Sequence, residues 1–279
     1  MDTDIDIFVE SESPPPTAAF VSARLLFEQQ EERFSRFRES SLLSALNRGE
    51  AVDSPWLARA VSMAIDAFEL TGGLFNPMVL PALRQAGYDR TFAGVTGGVL
   101  ESTRVPDPKR TIRLADSRVE LLAGQVDLGG IVKGWTADLV AESLASEALN
   151  VFVNAGGDIR CFGSDGDGPG WAMDIDGPNG VSVWAGRVRE AIATSTTLKR
   201  RWTTADGAAA HHIIDPGTGM PAESPFVQVS VRAEACWLAE IWAKAVVIGG
   251  EEARARAERA GLLVLAVTAD GTINRSSNW

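Results

Sequence analysis

Two glycine-rich segments carry the residue types best suited to chemistry: VDLGGIVKGW, from Val126 to Trp135, and VFVNAGGDIRCFG, from Val151 to Gly163. Each runs an apolar, β-branched stretch into paired glycines beside a carboxylate, Asp127 in the first and Asp158 in the second. Without a Cβ, backbone N–H groups can approach a phosphate closely, so together the segments suggest a nucleotide pocket. Neither is specific alone. The lysine of GGIVKG precedes its last glycine, which excludes a Walker A loop, and nothing matches G-x-G-x-x-G. Two tight strand-to-helix turns would use the same residues. Asp127 and Asp158 could accept hydrogen bonds from a ribose or base edge, help hold a divalent cation, or simply cap their turns. Lys133 stands where a phosphate at the start of the following helix would find a counter-charge; a solvated surface lysine is the alternative.

His211 and His212 are the only histidines, so any imidazole acid, base or ligand comes from this adjacent pair. On a strand their rings point to opposite faces, which leaves at most one for a pocket; one exposed and one packed histidine is the competing reading. The turn Asp215-Pro216-Gly217, followed by Gly219 and Pro221, makes a rigid loop suited to closing a pocket. The hydroxyls of Thr194, Ser195, Thr196 and Thr197 could bind phosphate or cap a turn.

The elements that must position these groups read as follows. Apolar residues at Phe20, Ala23, Phe27, Phe34 and Phe37 recur at helical spacing after Pro14–Pro16. Ser54-Pro55 opens a second helix with an apolar stripe at Leu57, Val61, Ile65 and Phe68, stopped by Gly72-Gly73. Residues 89–118 are rich in glycine, proline and charge and read as a surface excursion. A third helix is expected over about 135–149. Beyond it come strand-like runs at 151–153, 171–175, 182–188 and 227–232. Helices over 235–248 and 251–260, separated by Gly249-Gly250, then lead to a strand at 262–267. Helices before strands, without βαβ alternation, favour an α+β fold. At 279 residues and 45% hydrophobic content the chain has ample core. A net charge of -11 disfavours nucleic acid or an anionic membrane as main partner. Cys161 and Cys236 lack disulfide-scaffold or metal-knuckle spacing and are expected as buried thiols. The acidic opening residues and the lack of a long apolar run place the chain, as an expectation, in the cytoplasm without a membrane anchor.

In order, FSRFRESSLLSALN, TGGLFNP, VDLGGIVKGW, VNAGGDI, ATST, HHIIDPGTGMP and VSVRAEACWLAEIWAKAVVIGG resemble the ApbE family of FAD:protein FMN transferases over nearly the whole chain. The resemblance implies a single domain over residues 1–279. A helix-rich part over about 1–150 would pack on a mainly antiparallel, sheet-rich part over about 151–279, with the flavin pocket between them. It implies FAD as substrate and transfer of FMN to a threonine hydroxyl of a partner protein, with release of AMP. Flavin contacts fall at Met1, Phe37, Leu74, Phe75, Asn76, Asp127, Lys133 and Ile214; the family's functional histidine falls at His212, and the resemblance implies that His212 or a neighbouring carboxylate, Asp127, assists proton removal. The family's Mg²⁺ is held by a carbonyl falling at Gly130 and by an aspartate and a threonine falling at Glu240 and Lys244. Those last two positions depart from the pattern. A glutamate could still coordinate Mg²⁺, whereas an ammonium has no lone pair to give and could occupy the cation's place. Asp2 replaces a glycine, Phe37 a tyrosine and Asn76 an aspartate. The departures keep two further readings open: a flavin-binding relative with weakened Mg²⁺-dependent transfer, and a hydrolase that splits FAD to FMN and AMP.

Overall fold

The computed structural model describes residues 3–10, 17–95 and 97–279. Strand β1 (Ile5–Glu10) leads into helices α1 (Thr17–Phe34) and α2 (Leu42–Asn47), strand β2 (Val52–Asp53) and helices α3 (Pro55–Leu70), α4 (Leu80–Gln85) and α5 (Pro108–Thr111). The hairpin β3 (Ile112–Ala115) and β4 (Arg118–Leu121) follows, then α6 (Val132–Ala145). The second half holds β5 (Asn150–Ala155), β6 (Asp158–Phe162), β7 (Trp171–Asp176), β8 (Ser182–Val188), β9 (Ala191–Thr196), β10 (Arg201–Thr203) and β11 (Ala209–His211). It closes with β12 (Ile214–Asp215), β13 (Met220–Pro221), β14 (Phe226–Ala233), α7 (Cys236–Arg259), β15 (Leu263–Thr268) and β16 (Ile273–Arg275). No helix among the described residues is long and apolar enough to cross a membrane.

A seven-stranded sheet in the order β1-β5-β6-β9-β14-β15-β16 is antiparallel at every pairing, which makes the fold α+β as expected. Its first strand is borrowed from the N-terminus: Ile5 to Glu10 pairs with Ala155 to Asn150, so the sheet is not confined to the second half. One face carries Ala193, Val229, Val231, Val264 and Ala266, packed with α7 through Ile241, Ala245 and Val246 and with α3 through Leu57, Val61 and Ala64. Beside it, Phe27 of α1 and Val140, Ala141 and Leu144 of α6 cover Val151 and Val153. The hairpin of β7 and β8 covers the other face, where its Ile175 and Val188 cluster with Cys161 of β6 and Ile192 of β9.

Several expectations hold in detail. Ser54 Oγ accepts the Leu57 N–H at 3.4 Å at the start of α3. Gly250, at φ 59° and ψ -140°, breaks α7 where two helices were read, because that backbone conformation is open essentially to glycine alone. Both cysteines are buried and free. Others are corrected. Phe37 lies beyond the end of α1, and Phe20 is 36% exposed rather than buried. The 89–118 stretch is not all surface, since Pro108 and Ile112 are buried and β3 joins β4 and β2 in a small sheet. Gly156 and Gly157, both at positive φ, turn β5 directly into β6, so the second glycine pair makes a hairpin and not a strand-to-helix phosphate loop. The β9 hydroxyls are likewise spent on the sheet: Thr194 Oγ1 is 2.8 Å from Ser230 Oγ, and Thr196 Oγ1 donates to the Val227 carbonyl at 2.9 Å.

Candidate active site

The Gly-rich turn at 127–130 ends in α6, and what approaches it decides the site. A cavity of about 650 Å³ opens here, bounded by the segment after α1, the Leu74–Asn76 link, the turn itself, the strand around His212–Ile214 and one side of α7. Phe37, Leu74, Phe75, Asn76, Asp127, Gly130, Lys133, His212, Ile214 and Lys244 all line it. Residues from both halves are thus brought to one wall-to-wall space of the size that small-molecule sites occupy. Met1 and Asp2 lie outside the described residues. Glu240 does not line the cavity, and neither does the hairpin turn at Gly156-Gly157.

Asp127 is fixed from two sides. Its Oδ2 pairs with Arg36 Nε at 2.8 Å and its Oδ1 accepts the Gly129 N–H at 2.6 Å. The Arg36 guanidinium lies 4.2 Å from the centre of the Phe37 ring and 4.5 Å from that of Tyr88, so the charge is held between two aromatic faces. Asn76 takes a structural part as well, capping Met78 N–H at 2.9 Å and donating to the Pro106 carbonyl at 3.0 Å. Lys133 pairs with buried Asp158 and lies 4.0 Å from Glu240 Oε1. Its burial pulls the ammonium below the usual lysine range, and the lysine is therefore neither a solvated surface group nor a free counter-charge.

The histidines divide as the strand alternation requires. His211 Nε2 lies 3.1 Å from the Ala222 carbonyl, and the Ile213 N–H donates to His211 Nδ1 at 3.3 Å, so that ring is held by backbone. His212 faces the cavity, and its buried Nδ1 has no hydrogen-bond partner. Burial first, then the charges of Lys244, Arg200, His211 and Lys133, hold its pKa well below the usual histidine value. The imidazole is therefore neutral at pH 7 and keeps a lone pair to accept a proton.

Helices α6 and α7 cap one another. Neither N-cap residue, Ile131 or Ala235, supplies a side-chain hydrogen bond. Instead Glu240 of α7 accepts the Gly134 N–H of α6 at 2.9 Å, and Asp138 of α6 accepts the Cys236 and Trp237 N–H groups of α7 at 2.8 and 3.0 Å. A Cβ on Gly134 would stand 2.9 Å from the Cys236 carbonyl, so the last glycine of GGIVKG serves this helix contact rather than a phosphate.

A divalent cation does not fit the residues present. Glu240 is 5% exposed and its carboxylate is already engaged by the α6 N-terminus and Lys133. Lys244, one turn further along α7, places its Nζ against Gly130, on the spot a Cβ there would fill. No group of three or more His, Cys, Asp or Glu side chains among the described residues is arranged to hold a metal. Sequence reasoning missed Arg36, Tyr88, Gln30 and Arg200, which also line the cavity. Arg36 had a signal in the aromatic-basic run of FSRFRES; the other three had none.

Fold and cavity define an α+β protein with a mixed aromatic and cationic cleft built from both halves of the chain. The chain belongs to the ApbE family, whose profile matches residues 1–266. It is 31% identical over 274 residues to an FAD:protein FMN transferase of Vibrio cholerae, covering 88% of this chain and 78% of that one. A Treponema pallidum FAD:protein FMN transferase is 30% identical, over 84% of this chain and 72% of its own. Among solved structures, an ApbE protein of Thermotoga maritima superposes with a TM-score of 0.88 at 26% identity, covering 99% of this chain and 94% of that one. The flavin transferase ApbE of Vibrio cholerae gives 0.83 at 26% identity, with the same coverage.

Proposed function

We propose that this chain transfers FMN from FAD to a threonine hydroxyl of a partner protein and releases AMP. The observation that carries the proposal is His212, an imidazole held neutral by burial that lines the same cavity as the 127–130 turn. The names of the relatives supply the reaction class. In this reading Phe37, Leu74, Phe75 and Ile214 give the isoalloxazine an apolar seat, while the turn at Gly129-Gly130 faces the diphosphate. The acceptor oxygen bonds to the FMN-side phosphorus, the bond from that phosphorus to the bridging oxygen breaks, and AMP leaves with the bridging oxygen and the electron pair. The hydroxyl proton passes to His212, which suits a base whose ring is unprotonated at working pH. Asp127, with both oxygens engaged, positions Arg36 and the turn rather than accepting a proton.

The test is incubation with FAD and a threonine-containing acceptor domain, read by acceptor mass and by free AMP. A mass gain of one FMN per acceptor with equimolar AMP is expected, and His212→Ala should lower the rate by about a hundredfold or more, the usual worth of a positioned base. AMP without an adduct would replace transfer by FAD hydrolysis. Tight FAD binding with neither product would make the chain a flavin carrier.

A further inference from the structure

The cation that would face a bound diphosphate is part of the polypeptide. Lys244 projects from α7 so that its Nζ meets the Gly130 position, on the floor of the cavity and beside the His212 ring that faces the same space. Gly130 has to be glycine for this to happen, since any Cβ would displace the ammonium. The chain is packed around that arrangement. The Phe75 ring lies 5.6 Å from Nζ and 3.4 Å from the Gly130 Cβ position. Glu240, the carboxylate one helical turn back, is turned away to the α6 N-terminus, 2.9 Å from the Gly134 N–H. Burial pulls the Lys244 ammonium below the usual lysine range, and the carboxylates of Glu240 and Asp127 act against that shift. His212 lines the same cavity, and its buried Nδ1 has no hydrogen-bond partner.

We propose that the Lys244 ammonium itself occupies the place of a divalent cation at the FAD diphosphate, so that this protein binds FAD without metal. The inference rests on the flavin reading above and deepens it. An ammonium held on one side chain donates up to three charge-assisted hydrogen bonds to phosphate oxygens. It carries half the charge of Mg²⁺ and imposes no octahedral geometry, so binding is preserved more fully than transition-state stabilisation.

The experiment measures the FAD dissociation constant by flavin fluorescence quenching, with a chelator and with excess Mg²⁺, for the wild type, Lys244→Met and Gly130→Ala. Riboflavin, which lacks the diphosphate, is the control ligand. The wild type should bind FAD equally in both buffers. Lys244→Met should lose about tenfold or more in FAD affinity, the worth of one strong charge-assisted contact, and keep its riboflavin affinity. Gly130→Ala, which pushes the ammonium aside without removing it, should show the same pattern and guards against a folding defect at position 244. FAD binding that collapses on chelation, or Lys244→Met and Gly130→Ala binding FAD like the wild type, would overturn the ammonium proposal and leave the flavin reading standing. Absence of FAD binding to the wild type in both buffers would overturn the flavin reading itself.

Discussion

At the scale of single residues, the site pairs groups that packing holds still with groups left open to a ligand. Phe37 belongs to the second kind: it is 39% exposed, yet its ring is steadied by the Arg36 guanidinium and by Tyr88, whose ring centre is 5.9 Å away. A ring so placed offers a face for stacking and contributes little to the fold. Phe37→Ala should therefore weaken FAD by about tenfold, the scale of one aromatic stacking contact with its buried area, and leave the urea midpoint unchanged. An unchanged FAD affinity measured by fluorescence would remove Phe37 from the flavin seat. Phe37 could be found from the sequence because the family resemblance fixed its position, whereas Gln30 could not: in a helical pattern it is an ordinary polar residue. Only the fold shows that it is fully buried at the cavity wall with Nε2 unpartnered. Glu240 shows the opposite limit. Only the family resemblance offered it as a ligand, and the structure gives its carboxylate to the Gly134 N–H, a partner 106 residues away that no local pattern reveals.

At the scale of elements, the exchange of caps between α6 and α7 is what aims the Gly-rich turn and Lys244 at the same space. Both helices were legible in outline, and Gly249-Gly250 marked the break in the second. Their mutual capping was not legible, because N-cap rules look for a side chain next to the helix start and here each carboxylate comes from the other helix. The cost of that device is a buried charge. Desolvation raises the Asp138 pKa to about 6, above its ordinary 3.8, despite the two N–H donors and Arg160. The folded protein therefore holds a proton on Asp138 that the unfolded chain releases, so this group's contribution to stability is complete below about pH 4 and is lost as the pH rises to about 6. Over that window the loss amounts to about 2–3 kcal/mol. Asp138→Asn should remove this component, so the difference in unfolding free energy between mutant and wild type should shift in the mutant's favour from pH 4 to pH 7. Denaturant titrations at the two pH values check it. A difference that does not change with pH would mean that Asp138 is ionised in the folded state throughout.

At the scale of the whole molecule, N-terminal helices and the C-terminal sheet share one hydrophobic core. The broad order of helices before strands was legible, but the borrowing of β1 by the sheet was not, since strand pairing over 140 residues leaves no mark in local patterning. That pairing, together with a core running from Leu57 and Val61 of α3 to Val264 and Ala266 of β15, ties the N-terminal helices to the C-terminal sheet. The cavity is closed by the same elements, with Phe37, Leu74 and Asp127 from the first half and His212, Ile214 and Lys244 from the second. A ligand there contacts both halves and is absent from the unfolded chain, so it stabilises the folded state as a unit. At a hundredfold excess over its dissociation constant FAD should add about 2.7 kcal/mol to stability. In a chain of this size that is a rise in Tm of roughly 5 °C, within one cooperative transition. Scanning calorimetry with and without FAD, in chelator, reads both quantities. Two transitions of which FAD moves only one would show that the halves unfold separately and that the ligand is held by one of them, which would place the flavin site elsewhere than in the shared cleft.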